Sequence, residues 1–326
     1  MNYKSLRDLS SDLIQNIHKI PHDIDLVVGV PRSGLMVANL IALLLNVQIT
    51  DVDGLLSDHI ITSGKTKTKF LGSPIRHVSD CKKILVVEDS VYSGASLLSV
   101  KQRIQEQSFS FEILYFAAYV SPGKEDLVDV YLQTLPSPRV FEWNLFHSSI
   151  LEYSCVDIDG ILCVDPTEEE NDDGENYLYF LEHAAPKIIP THRIKYLVSS
   201  RLETYRSQTE QWLARNHIEY DKLFLLNSTA EKRRAKGLHA AFKSEIYGKA
   251  DHCGLFIESS SAQAQRIYAA TGKPVYCIEN NVLYDEKLQQ AQLLPVAPVS
   301  KRRRSLRSFL SRCHILRKIY RRIKKR

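Results

Sequence analysis

The chain has 326 residues, 44% hydrophobic and 25% charged; this composition excludes intrinsic disorder, a collagen-like repeat and a disulfide mini-scaffold, and the length fits two domains of roughly 150 residues. All 38 acidic residues lie before residue 301 while 13 of the 43 Lys and Arg lie in 301–326, so residues 1–300 hold 30 basic against 38 acidic residues, a net −8, and the last segment carries +13. The acidic body is therefore no nucleic-acid glove, and any attraction to an anionic surface belongs to the C-terminal segment.

Six cysteines (Cys81, Cys155, Cys163, Cys253, Cys277 and Cys313) show no CxxC pairing and no His at zinc-ligand spacing. Most sit in apolar runs, which predicts small buried hydrophobes in a reducing compartment. The first residues carry no basic-then-apolar signal run. The apolar stretch 35–47 falls short of the roughly 20 residues a membrane span needs, so a cytoplasmic protein is expected.

In chain order, Leu6, Leu9, Leu13, Ile17 and Ile20 recur at helical period until Pro21, and 24–30 reads as a strand buried on both faces. The turn Pro31-Arg32-Ser33-Gly34 breaks it, and a helix is predicted over 35–45. Residues 56–74, with Lys65, Lys67 and Lys69, are polar enough for a long lid-like loop. A second β-α unit follows: strand 84–87, a turn from Glu88 to Ser96, and a helix to about Gln107. Strand 112–120 comes next. Residues 135–144, with Phe141 and Trp143, read as a domain joint. A second α/β series has strands predicted at 154–158, 194–198, 223–226, 254–258 and 275–278. Residues 293–300 form a linker to the basic tail. The alternation predicts an α/β fold of two doubly wound parallel-sheet domains, 1–150 and 151–292, with ligands beyond the carboxyl ends of the strands.

Glu88 and Asp89 are adjacent carboxylates at the end of a buried strand, followed by Ser93-Gly94-Ala95-Ser96 opening a helix. Backbone N–H groups there suit a phosphate monoester, and the two carboxylates can accept from vicinal sugar hydroxyls or meet Mg²⁺. The stretch resembles the signature of type I phosphoribosyltransferases: four apolar residues, two acids, four variable residues, then hydroxyl-Gly-small-hydroxyl. The resemblance implies binding of 5-phosphoribosyl-1-pyrophosphate (PRPP) with Mg²⁺, Glu88 and Asp89 on the ribose and Ser93–Ser96 on its phosphate. It also implies Arg32, Ser33 and Gly34 on the pyrophosphate and a flexible catalytic loop around Lys65. Ala95 departs from the usual hydroxyl, which a phosphate read by backbone tolerates.

Asp157 and Asp159 stand at i and i+2 at the end of the first strand of the second half, so their carboxylates share a side. One can attack phosphorus while the other serves as general acid and base. The pair resembles the first motif of haloacid-dehalogenase-type (HAD) phosphatases. That likeness implies phosphate binding by Ser199 and by Lys243, with Lys236 as the alternative lysine, and Mg²⁺ held by Asp157, Asp159 and Glu258. The second acid usual in the last motif is replaced by Ser259, Ser260 and Ser261, and the short 162–194 insert allows only a small cap.

In the tail, Leu306, Phe309, Leu310, Cys313, Leu316, Ile319, Tyr320 and Ile323 recur every three or four residues among Lys and Arg. Such a basic amphipathic helix is expected on an anionic membrane surface at the inner face, with nucleic acid not expected as a partner. A PRPP-dependent transferase leaves a 5-phosphate on its product and a phosphatase removes it, and the pairing is similar to the ribofuranose-installing modules of bacterial capsule and O-antigen assembly. The expectation is a bifunctional enzyme adding 5-phosphoribose to a lipid-linked or oligosaccharide acceptor as a β-ribofuranoside. Two alternatives stand: a nucleobase-salvage phosphoribosyltransferase fused to a phosphatase, and a PRPP-sensing regulator binding nucleic acid through its tail.

Overall fold

The computed structural model describes residues 1–61, 75–229 and 238–286. Lys65, Lys67, Lys69, Lys236 and the tail 301–326 lie outside the described residues. Met1–Asp285 form one compact unit and Glu286–Arg326 a second.

The first half is built on a five-stranded parallel sheet ordered β3-β2-β4-β5-β6: β2 Leu26–Gly29, β3 Gln48–Asp51, β4 Lys83–Val91, β5 Glu112–Val120 and β6 Val130–Thr134. Strict alternation along β4 explains its position at the centre. Leu85 and Val87 join one apolar cluster, Ile84 and Val86 the other. Helices α1 Leu6–Asn16 and α2 Ser33–Leu45 cover the first face, and α4 Ala95–Gln105 the second, with α3 Val52–Leu56 after β3. Two expectations shift. Glu88 and Asp89 lie inside β4, because pairing with β5 continues through Val91↔Val120, and β6 forms where no strand was anticipated.

The second half carries a six-stranded sheet ordered β10-β9-β8-β11-β12-β13, parallel except for the last strand. Its strands are β8 Ser154–Val156, β9 Ile194–Leu202, β10 Tyr220–Leu226, β11 Leu255–Glu258, β12 Val275–Cys277 and β13 Val282–Tyr284. Helices α5 Glu175–His183 and α6 Arg206–Arg215 bury Phe180, Trp212 and Leu213 on one face. On the other, α7 Leu238–Lys249 sets Tyr247 edge-on to Phe256, with α8 Ser261–Thr271 beside it. Helix α5 is the only helix of the 162–194 insert among the described residues, and it packs into the core.

The anticipated joint at 135–144 holds structure of its own. β7 Arg139–Phe141 pairs in parallel with β1 Asn2–Lys4 to form a ribbon between the two sheets. Period-two alternation lets it serve both cores: Val140 belongs to the second-half cluster, Phe141 to the first. Glu142 then accepts from the Leu6 N–H and the Asn281 amide, linking α1 to the β12–β13 turn. No helix among the described residues is long and apolar enough to cross a membrane, and the five described cysteines are free and buried.

Behind the ribbon, Asp12 accepts from Lys4 Nζ (2.7 Å), Tyr119 Oη (2.8 Å) and Gln133 Nε2 (2.9 Å). Asp12→Ala strands the largely buried Lys4 ammonium and should destabilise the fold by roughly 3 kcal/mol, read as a lower urea midpoint. An unchanged midpoint would show that water replaces the carboxylate there.

Candidate functional site

Each sheet reverses direction once. In the first, the chain goes from β2 to β3 on one side, then to β4 on the other; in the second, from β8 through β9 and β10, then to β11. At such a reversal, neighbouring loops diverge at the carboxyl ends and leave a crevice. The β2–β4 gap is flanked by Arg32–Gly34 and the turn after β4. The β8–β11 gap is flanked by Asp157–Asp159 and Glu258.

At the first gap, Arg32 is exposed and Ser33 opens α2, while Gly34 is buried against β4. A Cβ at Gly34 would lie 2.7 Å from the Val87 carbonyl and 3.1 Å from Glu88 Oε1. Only glycine lets this loop approach the acid pair so closely. Across the gap, Gly94 caps α4 at φ +90°, the Ala95 N–H reaches Ser93 Oγ at 3.3 Å, and Ser96 Oγ donates to Glu88 Oε2 at 3.4 Å. Gly34 and Ser96 are thus both brought to Glu88, with Asp89 next to it, while Arg32 and Ser33 adjoin Gly34 in the chain and Ser93–Ala95 lead into Ser96. Trp143 was not anticipated here. Its indole N–H donates to Asp89 Oδ2 at 2.9 Å, and the aromatic pair Phe141 and Trp143 within 135–144 was the sequence signal for it.

Burial pushes the Glu88 carboxyl up to about 8, with Asp89 beside it adding to the rise. Among the described residues neither acid forms an ion pair, an arrangement that fits hydroxyl donors or Mg²⁺, and these two residues are the ones that would hold the ion.

At the second gap the charges are paired internally. Lys243, from α7, donates to Asp157 Oδ2 at 2.6 Å and Glu258 Oε2 at 2.8 Å, with Gln263 Oε1 at 3.1 Å. Among the described residues Lys243 is the lysine that lines this pocket. Although burial works against it, these two carboxylates hold Lys243 protonated above its ordinary range; burial raises the Asp157 carboxyl against the pull of that ammonium. Arg201, fully buried, grips Asp159 through Nη2 at 2.6 Å and Nε at 3.1 Å. Burial alone would raise Asp159, but the guanidinium holds it below the usual carboxylate range.

Three expectations are corrected by this arrangement. Asp157 and Glu258 gather on the Lys243 ammonium and not as a metal cluster, and among the described residues no group of three or more His, Cys, Asp or Glu is placed to hold a metal ion. Glu258 is sealed at 0% exposure, one oxygen on Lys243 and the other taking the Ser259 and Ser260 N–H groups. Its donor set is spent, so these residues do not fit a resident Mg²⁺. Asp159, ionised against Arg201, is unsuited to donate a proton in this state. Ser199 lies inside β9, its hydroxyl accepting the Arg201 N–H at 3.3 Å, because pairing with β10 continues to Leu202. Ser200 and Arg201 instead line the cleft with Asp157, Asp159, Asp165 and Lys243. The i, i+2 relation of Ser199 and Arg201 was the signal that could have found the arginine.

Two outcomes are expected. Glu88 binds its proton more tightly folded than unfolded, so the stability it contributes is complete below its ordinary value of 4.5 and is lost as pH rises through about 8. Glu88→Gln, which cannot ionise, should flatten the fall in melting temperature across that window; parallel profiles would refute the buried acid. Arg201→Met leaves Asp159 as an uncompensated buried charge and should cost roughly 3–5 kcal/mol in denaturant unfolding, with Asp159→Asn in the same background restoring part of it.

Residues 2–150 match the family model described as the phosphoribosyl transferase domain. No curated protein matches the chain. Among solved structures, the xanthine-guanine-hypoxanthine phosphoribosyltransferase of Helicobacter pylori is similar at 19% identity, covering 44% of this chain and 92% of that one with a TM-score of 0.33. A purine phosphoribosyltransferase from Pyrococcus horikoshii gives 18% identity, 44% and 94% coverage and 0.30; a hypoxanthine phosphoribosyltransferase from Staphylococcus aureus gives 14%, 40% and 74%, and 0.26. The family match is confined to residues 2–150, less than half of the chain, and marks that segment as similar to phosphoribosyl transferase domains.

Proposed function

We propose that the protein is a bifunctional enzyme that transfers 5-phosphoribose from PRPP to a glycan acceptor and then removes the 5-phosphate, with residues 1–150 and 151–292 as the two working parts. The observation that carries the transfer is the convergence of Arg32–Gly34, Glu88, Asp89 and Ser93–Ser96 on one gap, enforced by the contact distance at Gly34. An acceptor hydroxyl displaces pyrophosphate at C1: the new C–O bond forms as the old one breaks, pyrophosphate leaves with the electron pair, and the hydroxyl proton passes to solvent. Inversion of an α-configured donor gives a β-ribofuranoside. Glu88 and Asp89 orient the ribose, the α4 N-terminus its phosphate, and Arg32 neutralises the departing pyrophosphate.

Support for the second step is the cleft lined by Asp157, Asp159 and Asp165 together with two buried cations, Lys243 and Arg201, the first of them bonded to Asp157. Asp157 attacks phosphorus, the C5 oxygen leaves and takes a proton, and water then hydrolyses the acyl phosphate. For Asp159 to supply that proton, it must first give up Arg201. Cations so placed attract a phosphate monoester and stabilise charge on its oxygens. The pairing of steps gives plain ribofuranose, which nucleotide salvage does not need. Residues 301–326 hold the enzyme at the anionic inner face of the membrane, beside lipid-linked glycan; flotation on anionic vesicles should require this segment and weaken with salt.

The decisive experiment is mass spectrometry of an oligosaccharide acceptor incubated with PRPP and Mg²⁺. The wild-type enzyme should add pentose, Asp157→Asn should accumulate pentose phosphate, and Asp89→Asn should lose transfer by 100-fold or more on the order of removing a charged contact. Unphosphorylated pentose from Asp157→Asn rejects the second step, and turnover of PRPP with a free nucleobase alone rejects the glycan acceptor.

A further inference from the structure

Displacement at C1 requires the acceptor to approach from the side opposite the leaving group. Arg32, Ser33 and Gly34 follow β2, so pyrophosphate departs on the β2 side of β4. The acceptor's side is therefore that of β5, the strand on β4's other edge, above which the β7 ribbon contributes Arg139. A layered stack stands there. The Arg139 guanidinium lies 5.2 Å from the Tyr92 ring centre and 5.4 Å from that of Phe141, Phe141 stacks on Trp143 at 4.8 Å, and Trp143 is tied to Asp89. Tyr92 belongs to the turn between the acid pair and the phosphate cradle, and its side chain is 64% exposed.

Arg139 is half-buried and spends one donor, Nη1, on the Val91 carbonyl at 3.2 Å. Asp89 acts on it through space, yet among the described residues no carboxylate forms an ion pair with it. A guanidinium has five N–H donors in a planar fork. Set beside two rings and bonded to the Val91 carbonyl, this one is oriented before any ligand arrives, which reduces the ordering cost of binding. A partly desolvated, pre-oriented cation discriminates by charge: a neutral sugar offers it hydroxyl oxygens, whereas an oxyanion offers a stronger, charge-assisted bond.

We propose that Arg139 reads the acceptor, and that the acceptor carries an oxyanion, a carboxylate or a phosphate, close to the hydroxyl that is ribosylated, with its sugar ring laid against Tyr92. This rests on the transfer to a glycan proposed above and narrows its substrate class to acidic sugars. Arg139 is then a specificity-determining residue that distinguishes acidic from neutral sugars of the same shape.

Tryptophan fluorescence gives a direct test. The chain has two tryptophans, and Trp212 is buried in the second half with its N–H on the Ala184 carbonyl, so a signal from the first pocket reports Trp143. The full-length protein, with PRPP and Mg²⁺, is titrated with glucose, glucuronate and glucose 1-phosphate. An acidic sugar should bind roughly 10- to 100-fold more tightly than glucose, the range for one charged hydrogen-bonding contact. Preference for glucuronate assigns a carboxylate, and preference for glucose 1-phosphate a phosphate. Arg139→Met should erase the preference without changing glucose binding, and Arg139→Lys should retain part of it; if the Met variant fails to fold, a preference undiminished in Arg139→Lys overturns the proposal. Equal binding of all three sugars, or a preference that survives Arg139→Met, overturns it too while leaving transfer intact. Absence of any glycan product in the mass-spectrometric assay instead rejects the underlying function.

Discussion

A parallel sheet whose strand order reverses must leave a crevice at its carboxyl ends, because the two loops flanking the reversal run to opposite faces. Both candidate pockets of this chain are consequences of that constraint. The β2–β4 crevice receives a glycine-bearing turn and an acid pair; the β8–β11 crevice receives Asp157 and Glu258. Nothing in the side chains alone would bring Gly34 within contact of Glu88. The sheet order does so, and the absence of a Cβ at residue 34 then permits it.

The two crevices handle charge in opposite ways. In the first, Glu88 and Asp89 are buried together with a tryptophan N–H and a serine hydroxyl for company, so protonation of Glu88 relieves the repulsion. The polar groups are held ready for a ligand that brings hydroxyls or a cation. In the second, Asp157 and Glu258 are already paired with Lys243, and Asp159 with Arg201. Buried ion pairs of this kind contribute little net stability compared with an apolar core, but removing one partner is expensive. The second pocket therefore resists rearrangement more than the first, and a phosphate entering it must compete with carboxylates for the same two cations.

The β1–β7 ribbon connects these sites to the rest of the molecule. Its residues alternate between two apolar clusters, and Glu142 at its end is bonded to both halves. The same segment supplies Trp143 to Asp89 and Arg139 to Tyr92. The residues that touch Asp89 and Tyr92 and the seam between the halves are thus one piece of chain, which ties the local geometry of the acid pair to the packing of the second sheet.

The sequence by itself determined the parts whose signal is local. Apolar runs bounded by turns located most strands, a period-3.6 stripe located α1, and adjacent carboxylates with a glycine turn marked out candidate residues that the fold then set near one another. The lysine of the second pocket was also readable, as one of two candidates. Tertiary structure decided what depends on distant neighbours. How far β4 and β9 extend was set by pairing with β5 and β10, which carried Glu88, Asp89 and Ser199 into strands. The partner of Asp159 was set by β9 facing β8, which no spacing between residues 159 and 201 announces. The ribbon required pairing across 134 positions or more. Local periodicity records which face of an element is apolar; it holds no information about which charged group another element will bring to that face, because that pairing is fixed only when the sheets close.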